Sequence, residues 1–315
     1  RALFLHRDAD LITATPVFLG TDGGASQIFA DLTGDGIDEL IVVTSDGLIH
    51  AYQGRELREA PGWPVHTDAM EVQLESPAFA SGAIAVPYTP VLGAPAVGDL
   101  DRDGSPEVVV ADLYGKLYVW DHRGQRRAGF PVKPLPQFST TLRSERDPST
   151  PEGRVADRIN RLDRDNRLAR GFGAGPALGN LDGSPDGSLE IIAGATDRHV
   201  YAWYADGTPV PGWPALIKDP SKLQSVDPVT NTVVIRAGSR QRMGSKIIVP
   251  PSLGDVDGDG RLNVVTGVNE AYLERPNAVC NSQIVQFLML GGVLESGNGR
   301  RYALHPEGTA RGANP

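Results

Sequence analysis

The chain has one cysteine, Cys280, in 315 residues, so no internal disulfide can staple it. It also lacks a long apolar run. A helix needs about 20 apolar residues to span a bilayer, and QFLMLGGVL at 286–294 is the longest stretch, broken by two glycines. None of the six histidines (His6, His50, His66, His122, His199, His305) belongs to an HExxH or lies beside a CxxC, which removes the common zinc chemistries. GSRQRMGSK at 238–246 lacks the G-x4-G-K-[ST] order of a phosphate loop, and GFGAG at 171–175 runs directly into Pro176. Aromatic residues are only 6 % and no dominant basic surface accompanies them, so nucleic acid is not an expected partner. The first residues, RALFLHRDAD, are neither a methionine start nor a signal peptide; a secretion signal, if the protein has one, was removed or lies outside these residues.

Turn formers are abundant. Thirty-seven Gly and 25 Pro suit a turn-rich β-protein better than a helical one. Within that background one short acidic loop recurs four times, each copy leading into an apolar run of strand type. The copies read Asp31-LTGDGID-Glu39, Asp99-LDRDGSP-Glu107, Asn180-LDGSPDGSL-Glu190 and Asp255-VDGDGRL-Asn263. In three of them oxygen-bearing side chains stand at the first, third, fifth and ninth positions, with Gly at the sixth. The expected ligands are Asp31, Thr33, Asp35 and Glu39; then Asp99, Asp101, Asp103 and Glu107; then Asp255, Asp257, Asp259 and Asn263. The third loop is two residues longer and offers Asn180, Asp182, Asp186 and Glu190, with Ser184 undecided.

That spacing suits Ca²⁺, a hard cation that takes six to eight oxygens. Without a cation so many carboxylates in nine to eleven residues repel one another. The count of carboxylates ranks the second loop as the firmest site. The first is weakened by a hydroxyl at Thr33, and the fourth by the neutral Asn263. Of the 39 acidic residues, 13 sit at these loop positions, and four bound Ca²⁺ would bring the net charge from −9 to −1. The acidity is therefore internal to the loops and says little about partners. EF-hands are excluded, because the twelfth residues are Val42, Val110 and Thr266, where a bidentate Glu is required. A roll of nonapeptide repeats is excluded too, because the loops begin at 31, 99, 180 and 255.

The rest of each unit repeats with the loop. SQIFAD, APAVGD, GPALGN and PPSLGD precede it; LIHAYQ, KLYVWD and HVYAWYADG follow the apolar run; PGWPV, AGFPV and PGWPA close three units at 61–65, 128–132 and 211–215. Four short strands per unit, repeated at intervals of tens of residues, is the pattern of a β-propeller blade. Trp63, Phe130 and Trp213 in the closing segment are expected to pack the blades.

By these loops and segments the chain resembles the FG-GAP (VCBS) repeat family over about residues 20–315. The resemblance implies an all-β, Ca²⁺-stabilised propeller of four-stranded blades outside the cell, used for binding and occasionally built into an enzyme. The loops would join the first and second strands. The units fall at 21–66, 93–133, 172–215 and 248–315, after a tail of a preceding blade at 1–20. Insertions separate them at 67–92, 134–171 and 216–247, and a further one at 268–300 lies inside the fourth. YALHPEGTARGANP at 302–315 matches YAWYADGTPVPGWP at 201–214, so the fourth unit is expected to be incomplete. The four units then form part of a ring of about six to eight blades, with apolar faces left bare on the first and the fourth. The missing blades would come from the same chain or a partner.

The insertions differ from one another, and individual function is expected there. Val155, Ile159, Leu162 and Ala169 recur at helical spacing, which predicts a short amphipathic helix over about 153–169. Its six arginines form an anion- or partner-binding face, or else a solvated surface. TNTVVIRAG at 230–238 reads as an extra strand, and the Cys280 segment as an added hairpin or a contact surface. The functional expectation is a non-catalytic extracellular Ca²⁺-binding module that contacts a protein or a glycan. The alternative is the propeller of a carbohydrate-active enzyme such as a Ca²⁺-dependent polysaccharide lyase.

Overall fold

ELIVV, EVVVA and EIIAG have the apolar, β-branched composition of strands that lack a wet face. The computed structural model describes residues 25–53, 58–70, 77–85, 87–135, 171–227, 233–239, 241–243, 246–272, 300–304 and 310–312. In it, each of those runs is a strand buried along its whole length. The chain starts with β1 (Ile28–Ala30), β2 (Glu39–Val43), β3 (Leu48–Gln53), β4 (Arg58–Glu59) and β5 (Val65–His66), which form one sheet. A four-residue helix, α1 (Pro77–Ala80), follows, then the sheet of β6 (Ala96–Gly98), β7 (Glu107–Ala111) and β8 (Leu117–Trp120). The third sheet holds β9 (Ala177–Gly179), β10 (Glu190–Gly194), β11 (His199–Trp203) and β12 (Ala215–Leu216).

Next come β13 (Leu223–Val226), β14 (Val233–Ile235) and β15 (Gln241–Met243), then β16 (Ser252–Gly254), β17 (Asn263–Val268), β18 (Ala271–Tyr272), β19 (Arg300–Leu304) and β20 (Ala310–Gly312). The order β16-β17-β19-β20 makes the fourth sheet. All the pairings are antiparallel, and helix among the described residues is limited to α1 and a 3-10 turn at Pro220–Lys222. The fold is all-β.

The units share one register. The acidic loops connect first to second strands, pairing Ala30 with Glu39, Gly98 with Glu107, Gly179 with Glu190 and Gly254 with Asn263. The chain beyond the third strand turns back on it: Ala60, Arg127 and Val210 donate their N–H groups to the carbonyls of Ala51, Val119 and Ala202. An outer segment then pairs with the start of the third strand, at Ile49–Val65, Leu117–Val132 and Val200–Ala215. In the fourth sheet Leu304 pairs with Ala310 as Trp203 pairs with Pro209 in the third, so β20 matches that return and not β12.

Alternation along the strands puts successive side chains on opposite faces, and both faces become core. Val108, Val110, Tyr118 and Trp120 pack against Ile41, Val43, Ile49 and Trp63 of the first unit. Val109, Ala111, Leu117 and Val119 pack against Ile191, Ala193, Tyr201 and Trp203 of the third. Ile192, Val200 and Ala202 meet Ile247, Val264 and Val268 beyond them. Each fully buried side chain of this kind contributes roughly 1.5–3 kcal/mol, so the core is a succession of interfaces between sheets. The first strands lie side by side in the order β1, β6, β9, β16.

Trp63, Phe130 and Trp213 are buried in these interfaces, as packing residues should be. The glycine before each aromatic has its own cause. Gly62 and Gly129 sit at φ near +90°, and a β-carbon there would lie 2.0 Å from the carbonyl oxygen of Arg123 or Asp206 in the next unit. Only glycine combines that backbone with that approach.

One expectation is corrected. Leu40, Val42 and Tyr52, opposite Ile41 on the first sheet, are 4 %, 0 % and 6 % exposed, so that face is not bare. The expected extra strand is present as β14, paired with β13. The helix expected at 153–169 and the segment around Cys280 lie outside the described residues.

Candidate metal centre

The first residue of each loop follows a short strand, and the last opens the next one. In the first loop Asp31 Oδ1 accepts the N–H groups of Gly34 (2.7 Å) and Asp35 (3.2 Å), and Oδ2 that of Gly36 (2.8 Å). Asp255 repeats this with Gly258, Asp259 and Gly260, and Asp99 does so with Asp103 and Gly104. These bonds curl the loop around the first carboxylate. For Asp255 they hold the carboxyl below its ordinary pKa, the Gly260 N–H foremost.

The last residue of each loop, ninth in three and eleventh in the third, is an anchor. Glu39, Glu107, Glu190 and Asn263 are only 1–2 % exposed. Each accepts the N–H of the loop's second residue: Leu32 at 2.8 Å, Leu100 at 2.9 Å, Leu181 at 2.6 Å and Val256 at 2.8 Å. One oxygen is thereby committed. A glutamate has a second oxygen for a cation, whereas the remaining polar atom of Asn263 is an amide nitrogen, a donor that cannot ligate one. Burial pushes Glu107 and Glu190 above the ordinary glutamate pKa.

The loops differ in what they bring together. Asp99, Asp101 and Glu107 have oxygens within 4.8 Å of one another, as do the exposed Asp255, Asp257 and Asp259. Asp103 and Asp35 instead accept N–H groups two residues on, from Ser105 and Ile37. Thr33 donates its own N–H to Glu39. In the third loop Ser184 bonds through its N–H to Asp182 and through its hydroxyl to Asp186. There Asn180 Oδ1 and Glu190 Oε1 are both buried with no hydrogen-bond partner. A buried anionic oxygen in that state is costly unless a cation meets it. The chemistry of the third-loop donors, a carboxylate and an amide oxygen, fits Ca²⁺.

Two arginines join the acidic loops. Arg127 donates to Glu107 Oε1 (2.6 Å) and Asp101 Oδ2 (2.5 Å). Its hydrogen bond is the main cause holding Asp101 below the ordinary carboxylate pKa. Arg102 reaches from the second loop to the Gly187 carbonyl of the third at 2.6 Å. The signal for Arg127 was in the sequence: when the closing segments are aligned, Ala60, Arg127 and Val210 share one position.

Polar groups also mark the turns between second and third strands. Tyr118 donates to Asp112 and Tyr201 to Asp197, each carboxylate buried. Farther along, Glu270 accepts from the Asp219 N–H and the Tyr272 hydroxyl, with Lys218 Nζ at 3.6 Å. Burial lowers Lys218 to about 8.

No family model matches the sequence, and no curated protein matches it. Solved structures resemble it distantly, at low identity. The Pseudomonas aeruginosa PilY1 C-terminal domain is 14 % identical, with TM-score 0.40, over 92 % of this chain and 51 % of its own. BBS1N in complex with ARL6DN is 10 % identical, with TM-score 0.37, over 92 % and 69 %. Quinohemoprotein alcohol dehydrogenase from Comamonas testosteroni is 16 % identical, with TM-score 0.42, over 88 % and 38 %. The chain thus spans about half the length of the first of these. Likeness at this level says nothing about activity.

Proposed function

We propose that this chain is a Ca²⁺-stabilised β-propeller segment of the FG-GAP (VCBS) type, serving outside the cell as a non-catalytic module that binds a protein or a glycan. The observation that carries the metal reading is the pair of buried, unpartnered oxygens in the third loop, Asn180 Oδ1 and Glu190 Oε1. A cation held between a carboxylate oxygen and an amide oxygen would satisfy both. The propeller reading is supported by four sheets of matching register, each packed face to face on the next. The extracellular reading follows from the metal: loops of weak affinity fill only where Ca²⁺ is millimolar.

The ions are structural in this reading. Each would clamp the turn between the first two strands, and the surface for partners is left to the insertions. Chelation tests it. Excess chelator should lower the melting temperature and millimolar Ca²⁺ should restore it, by the linkage that stabilises any state that binds ligand. An unchanged melting curve would remove calcium from the account. Screening the chain against arrays of glycans and extracellular proteins then addresses the partner, with insertion-deleted chains as controls.

A further inference from the structure

We propose that the second loop carries its cation in its own chain: the Arg127 guanidinium takes the place of a metal ion between Asp101 and Glu107, and this loop holds its shape without Ca²⁺. The inference rests on the reading that the other loops bind Ca²⁺, and it reverses the ranking that carboxylate count suggests.

The geometry is that of a fork closing on two carboxylates. Nη1 meets Glu107 Oε1 at 2.6 Å and Nη2 meets Asp101 Oδ2 at 2.5 Å. These acceptors stand at the third and ninth positions, both expected metal ligands. Glu107 is almost wholly buried, and its other oxygen already accepts the Leu100 N–H, so both its oxygens are used. The equivalent glutamate of the third loop has one oxygen bonded to Leu181 and the other without a partner. At this second glutamate oxygen the two loops differ by the presence of the arginine.

The repeat supplies an internal control. Arg127 donates its N–H to Val119 as Ala60 does to Ala51 and Val210 to Ala202, so the three residues share one register. Alanine and valine there bring no charge to the first and third loops. Arg311 stands at that register in the fourth unit, paired with Ala303, but the ninth residue of its loop is the uncharged Asn263. The second unit alone combines an arginine at this register with a glutamate at position nine. Guanidinium stays protonated at all ordinary pH and matches two carboxylates in one plane. A Ca²⁺ entering among Asp99, Asp101 and Glu107 would have to displace that fork or sit against its charge. Three loops would then answer to external Ca²⁺ while the second does not.

The test counts bound Ca²⁺ on the full chain by native mass spectrometry and calorimetry, with Ca²⁺ as the only added metal. Arg127→Ala, the residue at this register in the first unit, should bind one Ca²⁺ more than the wild type. Asp101→Asn should leave the wild-type count unchanged and should cancel the gain in the Arg127→Ala background. No gain in Arg127→Ala, or loss of one Ca²⁺ in the wild type on Asp101→Asn, overturns the proposal. Should Arg127→Ala fail to fold, Asp101→Asn in the wild type decides alone, an unchanged count supporting the proposal. A wild type that binds no Ca²⁺ at any loop would sink the broader calcium reading, while the gain or its absence in Arg127→Ala would still judge the role of Arg127.

Discussion

Asp112 shows how a single carboxylate is made to depend on pH. It is fully buried and accepts the N–H groups of Tyr114 and Lys116 and the hydroxyl of Tyr118. Desolvation outweighs those donors and pushes its pKa up to about 6. The folded state then holds a proton that the unfolded chain, titrating near 4, has lost. Stability therefore falls as pH rises from about 4 to about 6, by on the order of 1–3 kcal/mol. Asp112→Asn should flatten that part of the profile in urea titrations across this range; an unchanged slope would show that other groups cause it. Gly129 makes a steric case. Alanine there meets a positive φ and the Asp206 carbonyl, and should cost on the order of 2–4 kcal/mol in denaturant unfolding. The loop residues were legible in the sequence because they repeat. Arg127 is legible only as the odd residue at the position it shares with Ala60 and Val210, in a segment whose repeat is carried by its aromatic and proline.

At the scale of the strand, full burial was legible from runs such as EIIAG, which offer no polar alternation to a solvent face. The consequence is symmetric sensitivity. Ile191 faces the second unit and Ile192 the fourth, so each to alanine should cost about 2–5 kcal/mol. A near-zero cost for either one in thermal unfolding would mean that its face is not packed. The loops were legible as loops, but their internal division of labour was not. Spacing alone made position nine a ligand, whereas burial makes it first an anchor for the loop's own N–H. Asn263→Asp gives the fourth loop the second oxygen it lacks, and calorimetry should record a higher Ca²⁺ affinity for that variant.

At the scale of the molecule, the succession of four units was readable from the repeats, and the extra strand β14 from a β-branched run, though not its pairing with β13. The covered face at Leu40, Val42 and Tyr52 was not, since nothing in those residues says what lies over them. Each apolar cluster takes residues from two neighbouring units, so unfolding any one strips a face from the next. The described sheets should melt together. Calorimetry of the intact chain should give one transition with matching calorimetric and van't Hoff enthalpies, and Gly129→Ala should shift the whole of it. A separate early transition in that variant would show that the units melt independently.

The bond from position two to position nine has a further consequence, for how the chain finds its pairings. Similar strands in tandem can pair with the wrong copy, and a slip of one residue would turn every apolar side chain of a strand to the opposite face. The anchor is satisfied only when the ninth residue stands opposite the residue just before the loop, as Glu107 stands opposite Gly98. It thus works as a gauge of strand alignment. It tests each first hairpin over some ten residues, before any distant part of the chain has been engaged.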